Sequence, residues 1–223
     1  MGKDKLRKFK EVEGFDNCVA LGHEIAFADS FPLKGKWRKE HFKNDNPIVL
    51  ELGCGKGEYT VGLAKRYPNK NFIGVDIKGN RIWKGAKEAT ETKMNNVAFI
   101  RTRINFIDAC FVADEVDEIW ITFPDPQPEK PRTRKRLTNM NFINKYKKIL
   151  KDGAPIHLKT DSRFFYDYTL GVIKENNFKL VDSTTDLYAD AKERDEALTS
   201  IQTFYEKKFS EQGFKINYLK FIP

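Results

Sequence analysis

The chain has 223 residues, with 40 Lys plus Arg against 32 Asp plus Glu, a formal net charge of +8, and 40% hydrophobic and 13% aromatic residues. That composition excludes global disorder and supplies apolar surface for one sizeable core, whereas two equal domains are a tight fit at this length. No apolar run approaches the roughly 18 residues that a membrane span needs, and Met1-Gly2-Lys3-Asp4-Lys5 carries charge where a signal peptide is apolar, so a cytoplasmic location and no membrane partner are expected.

Residues 1–43 show no clear period but carry Lys3, Lys5, Arg7, Lys8, Lys10, Lys34, Lys36, Arg38, Lys39 and Lys43, which reads as a loosely packed, partly ordered basic arm. A regular domain is expected over 44–223. Its first strand is Ile48-Val49-Leu50-Glu51-Leu52, an apolar run that ends in a glycine-rich turn, as a buried parallel strand should. Glu58 to Arg66 reads as a helix, Asn71 to Asp76 as a strand, Asn80 to Lys93 as a helix with Ile82, Trp83, Ala86 and Ala89 on one face, and Val97 to Arg101 as a strand. A helix around Phe106 to Val112 precedes the strand Glu118 to Phe123, which ends at Pro124-Asp125-Pro126-Gln127-Pro128. Asn139 to Leu150 and Arg163 to Glu175 read as helices, with strands at Pro155–Lys159 and Phe178–Val181. Thr203-Phe204-Tyr205-Glu206 matches a capping box, Gly213 suits a helix end, and Lys215 to Phe221 alternates as a last strand.

The alternation implies an α/β fold: a doubly wound, mostly parallel seven-stranded sheet with helices on both faces and right-handed crossovers. Such sheets bind ligands beyond the carboxyl ends of their strands. Cys18, Cys54 and Cys110 are scattered, with no Cys-x-x-Cys spacing, so neither a disulfide framework nor a metal site is expected.

Glu51-Leu52-Gly53-Cys54-Gly55-Lys56-Gly57 places glycines at alternate positions, which allows a sharp turn and close approach of a ligand to the backbone. A dinucleotide loop spaces its glycines differently, and a nucleotide-triphosphate loop needs a Lys-Ser/Thr absent here. Asp76 ends the second strand, where a carboxylate reaches the hydroxyls of a ribose lying over the glycine loop; as an alternative it caps the next helix. This half of the chain resembles the class I S-adenosylmethionine-dependent methyltransferases. The resemblance implies S-adenosyl-L-methionine as cofactor, held by Glu51, Gly53, Gly55, Gly57 and Asp76, with Asn105 and Phe106 at the adenine, where many relatives carry Asp instead of Asn105. A carboxylate such as Glu51 also favours the ammonium and sulfonium charges of that cofactor.

The second constellation is Phe123-Pro124-Asp125-Pro126, whose prolines hold Asp125 in a stiff segment, followed by Lys130, Arg132, Arg134, Lys135 and Arg136. Basic runs are more often solvated faces than binding sites, but this one lies beside a cofactor cleft and needs a polyanion to offset its self-repulsion. Phe-Pro-Asp-Pro-x-Pro with basic residues and Arg-Leu-Thr, then Lys159-Thr160-Asp161 and Thr203-x-Tyr205-Glu206, resembles one family from about residue 47 to the end: the bacterial tRNA (guanine-N7-)-methyltransferases. The resemblance implies methylation of guanosine N7 at position 46 in the tRNA variable loop. It further implies cofactor contact from Asp125, substrate contacts from Asp161 and Thr203 to Glu206, and tRNA as partner; no obligatory protein partner is expected, and a monomer or homodimer is. Gln127, Glu129 and Pro131 depart from the family's usual Trp, Lys and Arg, which leaves Lys130 to supply the lysine contact. Asp161 and the pair Thr203 and Glu206 also read as helix caps, and the two roles can coexist.

Guanine N7 has an in-plane lone pair and no proton to lose, so positioning and electrostatics can carry the transfer, with Asp125 as the essential carboxylate. The alternatives are a class I methyltransferase acting on another RNA base or a small molecule, and a non-catalytic RNA-binding relative. The glycine spacing makes an NAD-dependent enzyme the weakest of these readings.

Overall fold

A computed structural model describes residues 2–191 and 194–223. The regular domain begins at β2 (Ile48–Leu52), buried at every position because helices cover both of its faces. The chain then alternates through α3 (Glu58–Arg66), β3 (Asn71–Asp76), α4 (Gly79–Glu91), β4 (Val97–Arg101), a 3-10 helix (Ile104–Ala109) and β5 (Glu118–Thr122). A second 3-10 helix (Lys130–Lys135) and α5 (Met140–Lys147) lead to β6 (Ile156–Thr160), α6 (Arg163–Glu175) and β7 (Lys179–Thr184). The short α7 (Ala197–Ser200), α8 (Phe204–Glu211) and β8 (Asn217–Ile222) complete the unit. The segment expected as a helix over Phe106 to Val112 is the earlier and tighter 3-10 helix.

Among the described residues the sheet has eight strands rather than the expected seven. The additional strand, β1 (Cys18–Ala20), pairs in parallel with β4 and lies within the first 43 residues. The order is β1-β4-β3-β2-β5-β6-β8-β7, and only β8 runs antiparallel, pairing with β6 on one side and β7 on the other.

The first 43 residues are also packed more tightly than their lack of periodicity suggests. They hold α1 (Gly2–Glu13), which lies along α4, together with α2 (His23–Phe27) and a π-helical turn (Trp37–Phe42). Trp37 is fully buried, stacks on Phe111 with centroids 5.7 Å apart, and donates its indole N–H to the Cys110 carbonyl. Single aromatic anchors on short pieces do this work, which no window of hydrophobic periodicity registers.

Two apolar clusters sandwich the sheet. One gathers Trp37, Phe42, Phe142, Tyr146 and Phe165 against one face, and the other gathers Tyr59, Leu63, Ile82, Ala86 and Phe99 against the opposite face. In the second, the backbone must come close: a Cβ on Gly57 would lie 2.7 Å from the Phe99 ring and 3.3 Å from the Gly85 Cα, and Gly57 has φ +72°. Both the contact and the left-handed conformation demand glycine. Gly57→Ala is therefore expected to lose about 3 kcal/mol of stability by urea denaturation, from overpacking and backbone strain together.

Candidate functional site

The glycine turn after β2 bends back on β3. Gly53 N and Cys54 N both donate to the Val75 carbonyl, at 2.8 and 3.0 Å. Asp76, buried at the end of β3, fixes the turn from the other side: its Oδ2 accepts from Gly55 N at 3.0 Å and its Oδ1 from Lys78 N at 2.8 Å. A Cβ on Gly55 would meet nothing within 4 Å, so the middle glycine faces open space. Beside the turn is a cavity of about 470 Å³ lined by Gly53, Asp76, Ile77, Thr102, Asn105 and Leu137, with Arg103, Arg134 and Lys135 also on its walls. A glycine cradle beside a carboxylate and an exposed apolar side chain fits a nucleoside with a charged tail. Ile77, half exposed directly after Asp76, and Arg103 are lining residues that motif reading did not single out. The only sequence signal for Ile77 is an isoleucine placed beyond a strand's end, where water is expected.

Glu51 and Phe106 do not line this cavity. The Glu51 carboxylate is buried against α3, whose N-terminus has no capping side chain of its own. It accepts from Thr60 N at 2.8 Å, from the Thr60 hydroxyl, and from Thr122 Oγ1 at 2.5 Å, so a strand residue does the work of a helix cap. Burial pushes its carboxyl up to about 7, against the lowering effect of the Thr122 and Thr60 hydrogen bonds. Phe106 instead meets Phe27 edge-on at 5.7 Å in a neighbouring groove, and Asn105 borders both spaces.

Asp125 is exposed on the loop after β5, and its Oδ1 accepts from Gln127 N at 3.1 Å. Phe123 and Gln127, at φ 47° and 46°, bracket it in left-handed conformations that are costly for residues other than glycine. Of the basic run, Lys130, Arg132, Arg134 and Lys135 are exposed, with Arg132 Nε 3.1 Å from Glu129. Arg136 departs from the expected substrate role because it is buried. It donates to the carbonyls of Gln127 and Pro128 at 3.0 and 3.3 Å and lies over the rings of Tyr168 and Phe164 at 4.3 and 4.8 Å, fastening the proline-rich loop to α6.

Asp161 is half-buried just beyond β6, and burial pushes its carboxyl up. It does not cap α6; Ser162 does, accepting from Phe165 N at 3.2 Å. Thr203 and Glu206 form the anticipated capping box at the start of α8. Tyr205 is exposed, whereas the Glu206 side chain is fully buried. Among the described residues no helix is long and apolar enough to cross a membrane, and no cluster of three or more His, Cys, Asp or Glu could hold a metal ion.

Residues 45–219 match the family described as "Putative methyltransferase". A tRNA (guanine-N(7)-)-methyltransferase of Christiangramia forsetii is 52% identical over 98% of this chain and 97% of its own length. One from Bacteroides fragilis is 48% identical over 100% of this chain and 86% of its own. The chain belongs to the tRNA (guanine-N7-)-methyltransferase family. Among solved structures, the 16S rRNA methyltransferase KamB superposes with TM-score 0.64 at 13% identity, covering 85% of this chain and 94% of its own, a likeness of fold. Within the family frame, the residues after β2 and β3 and the loop after β5 are those that the motifs single out, and they lie at the carboxyl edge of the sheet.

Glu51 gives the site a measurable pH signature. The native state holds this proton up to about pH 7 whereas an ordinary carboxyl releases it near 4.5, so stability from this group is full below 4.5 and lost as the pH rises through 7. Glu51→Gln is expected to remove that loss, so its melting temperature relative to wild type should be higher at pH 8 than at pH 5, read by thermal melts at the two pH values.

Proposed function

We propose that this chain transfers a methyl group from S-adenosyl-L-methionine to N7 of a guanosine in tRNA, at position 46 of the variable loop. The observation that carries this reading is that Gly53 of the glycine turn, Asp76 and the basic residues Arg134 and Lys135 all line one cavity, so a cofactor cradle and a polyanion contact open onto the same space. The near full-length identity to relatives named for this activity supports the choice of acceptor. The cofactor supplies an electrophilic methyl when bound.

The remaining work falls to the chain's own groups. Asp76 already accepts two backbone N–H groups and keeps lone pairs free on both oxygens for ribose hydroxyls. Asn105 offers an amide on the cavity wall, Gly53 and Gly55 present no side chain on the turn, and Gly57 lets the turn pack against Phe99. Glu51 acts through its field, since its oxygens are engaged with Thr60 and Thr122; a bound cation favours its ionised form. Guanine N7 requires no general base, so Asp125, rigidly presented and exposed, serves to orient the base and to stabilise charge as it reaches the purine ring.

The acceptor base must leave its tertiary pairing in folded tRNA, at a cost of a few kcal/mol. Lys130, Arg132, Arg134 and Lys135 hold phosphates while it does, and Asp161, Thr203 and Tyr205 meet the extruded nucleotide. The exposed rings of Phe204 and Tyr205, with Lys56 Nζ 4.1 Å from the Phe204 centroid, provide a stacking surface with a cation beside it. We infer that the protein acts in the cytoplasm, as a monomer or homodimer without an obligatory protein partner.

The test is transfer of labelled methyl from S-adenosylmethionine to unmodified tRNA followed by digestion to nucleosides. 7-Methylguanosine is the expected product, and Asp125→Ala should lower its rate by about 100-fold or more. Label in a different nucleoside would overturn the acceptor assignment. In the same assay Arg134→Ala should weaken tRNA binding across sequences and reduce the slope of log affinity against log salt by about one.

A further inference from the structure

The Glu206 carboxylate lies 2.7 Å from Nζ of Lys159, and both side chains are wholly buried. Lys159 Nζ also donates to the Leu198 carbonyl at 2.6 Å and sits 4.9 Å from the Tyr59 ring centroid. Glu206 Oε1 accepts from the Tyr188 hydroxyl at 2.9 Å, and Oε2 accepts from Thr203 N at 3.4 Å. The Tyr188 hydroxyl in turn accepts from Gln202 Nε2 at 2.7 Å. Every oxygen of this carboxylate is thus spent inside the protein, in the middle of a segment whose neighbours are exposed.

Stability alone is a poor account of such a pair, because the desolvation of two charges offsets their attraction and an apolar pair of similar size serves as well. What the ion pair adds is direction. It fastens the start of α8, residue 198 and Tyr188 to one point on β6, two residues before Asp161. Phe204 N also donates to Glu58 Oε2 at 2.8 Å, so the same segment is fixed to α3 beside the glycine turn.

We propose that Lys159 is a positioning residue for substrate binding: through Glu206 it sets Thr203, Phe204 and Tyr205 in register with Asp161 and the glycine turn. Glu206, which the family motif places with the substrate, acts by the same route and does not contact the substrate. The inference rests on the tRNA reading above, and it assigns to the pair a function separate from holding the fold together.

Three variants decide it. Lys159→Met strands a buried carboxylate, so both the melting temperature and tRNA binding should suffer, with KM for tRNA rising about tenfold or more while the cofactor Kd stays within about twofold. In Lys159→Met/Glu206→Met the buried charges are gone and the melting temperature should recover, but KM should stay raised by about the same factor, because an apolar pair has no bonds to Thr203, Tyr188 and Leu198. Recovery of KM together with the melting temperature would overturn the proposal, as would a cofactor Kd that rises in step with KM. Should Lys159→Met not fold, Glu206→Gln keeps the shape and an acceptor for Lys159 but sets an amide against Thr203 N–H; an unchanged KM for that variant would overturn the proposal equally. If wild-type protein transfers no methyl to tRNA, the functional reading fails and amide hydrogen exchange judges the pair. Exchange about tenfold faster in Glu206→Gln, confined to Thr203 and α8, supports it, and unchanged protection there overturns it.

Discussion

The ring of Phe99 occupies the place where three side chains would otherwise begin. Cβ atoms built on Gly57, Gly74 and Gly85 would come within 2.7, 2.8 and 2.8 Å of it, and the ring itself is fully buried. One phenylalanine on β4 therefore fixes the closest approach of β3, the start of α3 and the middle of α4. Because Gly57 is also the last glycine of the turn after β2, the shape of the cradle follows from packing at its rear. The turn is held by Asp76 and the first turn of α3 after it by Glu51, so the conformation of the cradle is set before any ligand arrives.

Charges in this molecule divide into two populations with different physics. Arg136, Lys159 and Glu206 are buried, hold several partners each, and act as directional fasteners between elements, as does the carboxyl of Glu51. Asp125, Lys130, Arg134 and Lys135 are exposed and hold few partners, which leaves them free to meet a ligand. Water screens the second population, so its grip on a polyanion is sensitive to salt, whereas the first is shielded from solvent and insensitive to it. The proline-rich loop shows how the two cooperate: Arg136, lying over two rings of α6, anchors the loop that presents Asp125.

The core strands and most helices were legible because apolar periodicity and glycine or proline punctuation are local signals. β2, α3, β3 and β4 lie where the pattern places them, and the box formed by Thr203 and Glu206 was readable from four consecutive residues. The first 43 residues were not legible, since Phe31, Trp37 and Phe42 each bury one ring from a short or irregular piece. The roles of Arg136 and Glu206 were equally hidden. A charged residue in a motif reads as a ligand contact until its partner is known, and those partners, Tyr168 and Lys159, are 32 and 47 positions away. Asp76 and the glycines escaped this difficulty because their partners belong to the same turn.

The placement of β8 bears on how the chain is made. β8 emerges after β6 and β7 during synthesis, yet it lies between them in the sheet. Until it is added, β6 offers an open edge, and Lys159 waits for a carboxylate 47 residues downstream. A nascent chain that ends before residue 206 lacks both β8 and the partner of Lys159, whereas one that ends between 206 and 217 has the carboxylate but still leaves the β6 edge unpaired, a feature that favours mispairing with another chain. Vectorial synthesis thus makes the arrival of β8 the step at which β6 and β7 are joined, and the earlier pieces packed on α4 and β4 have time to settle first.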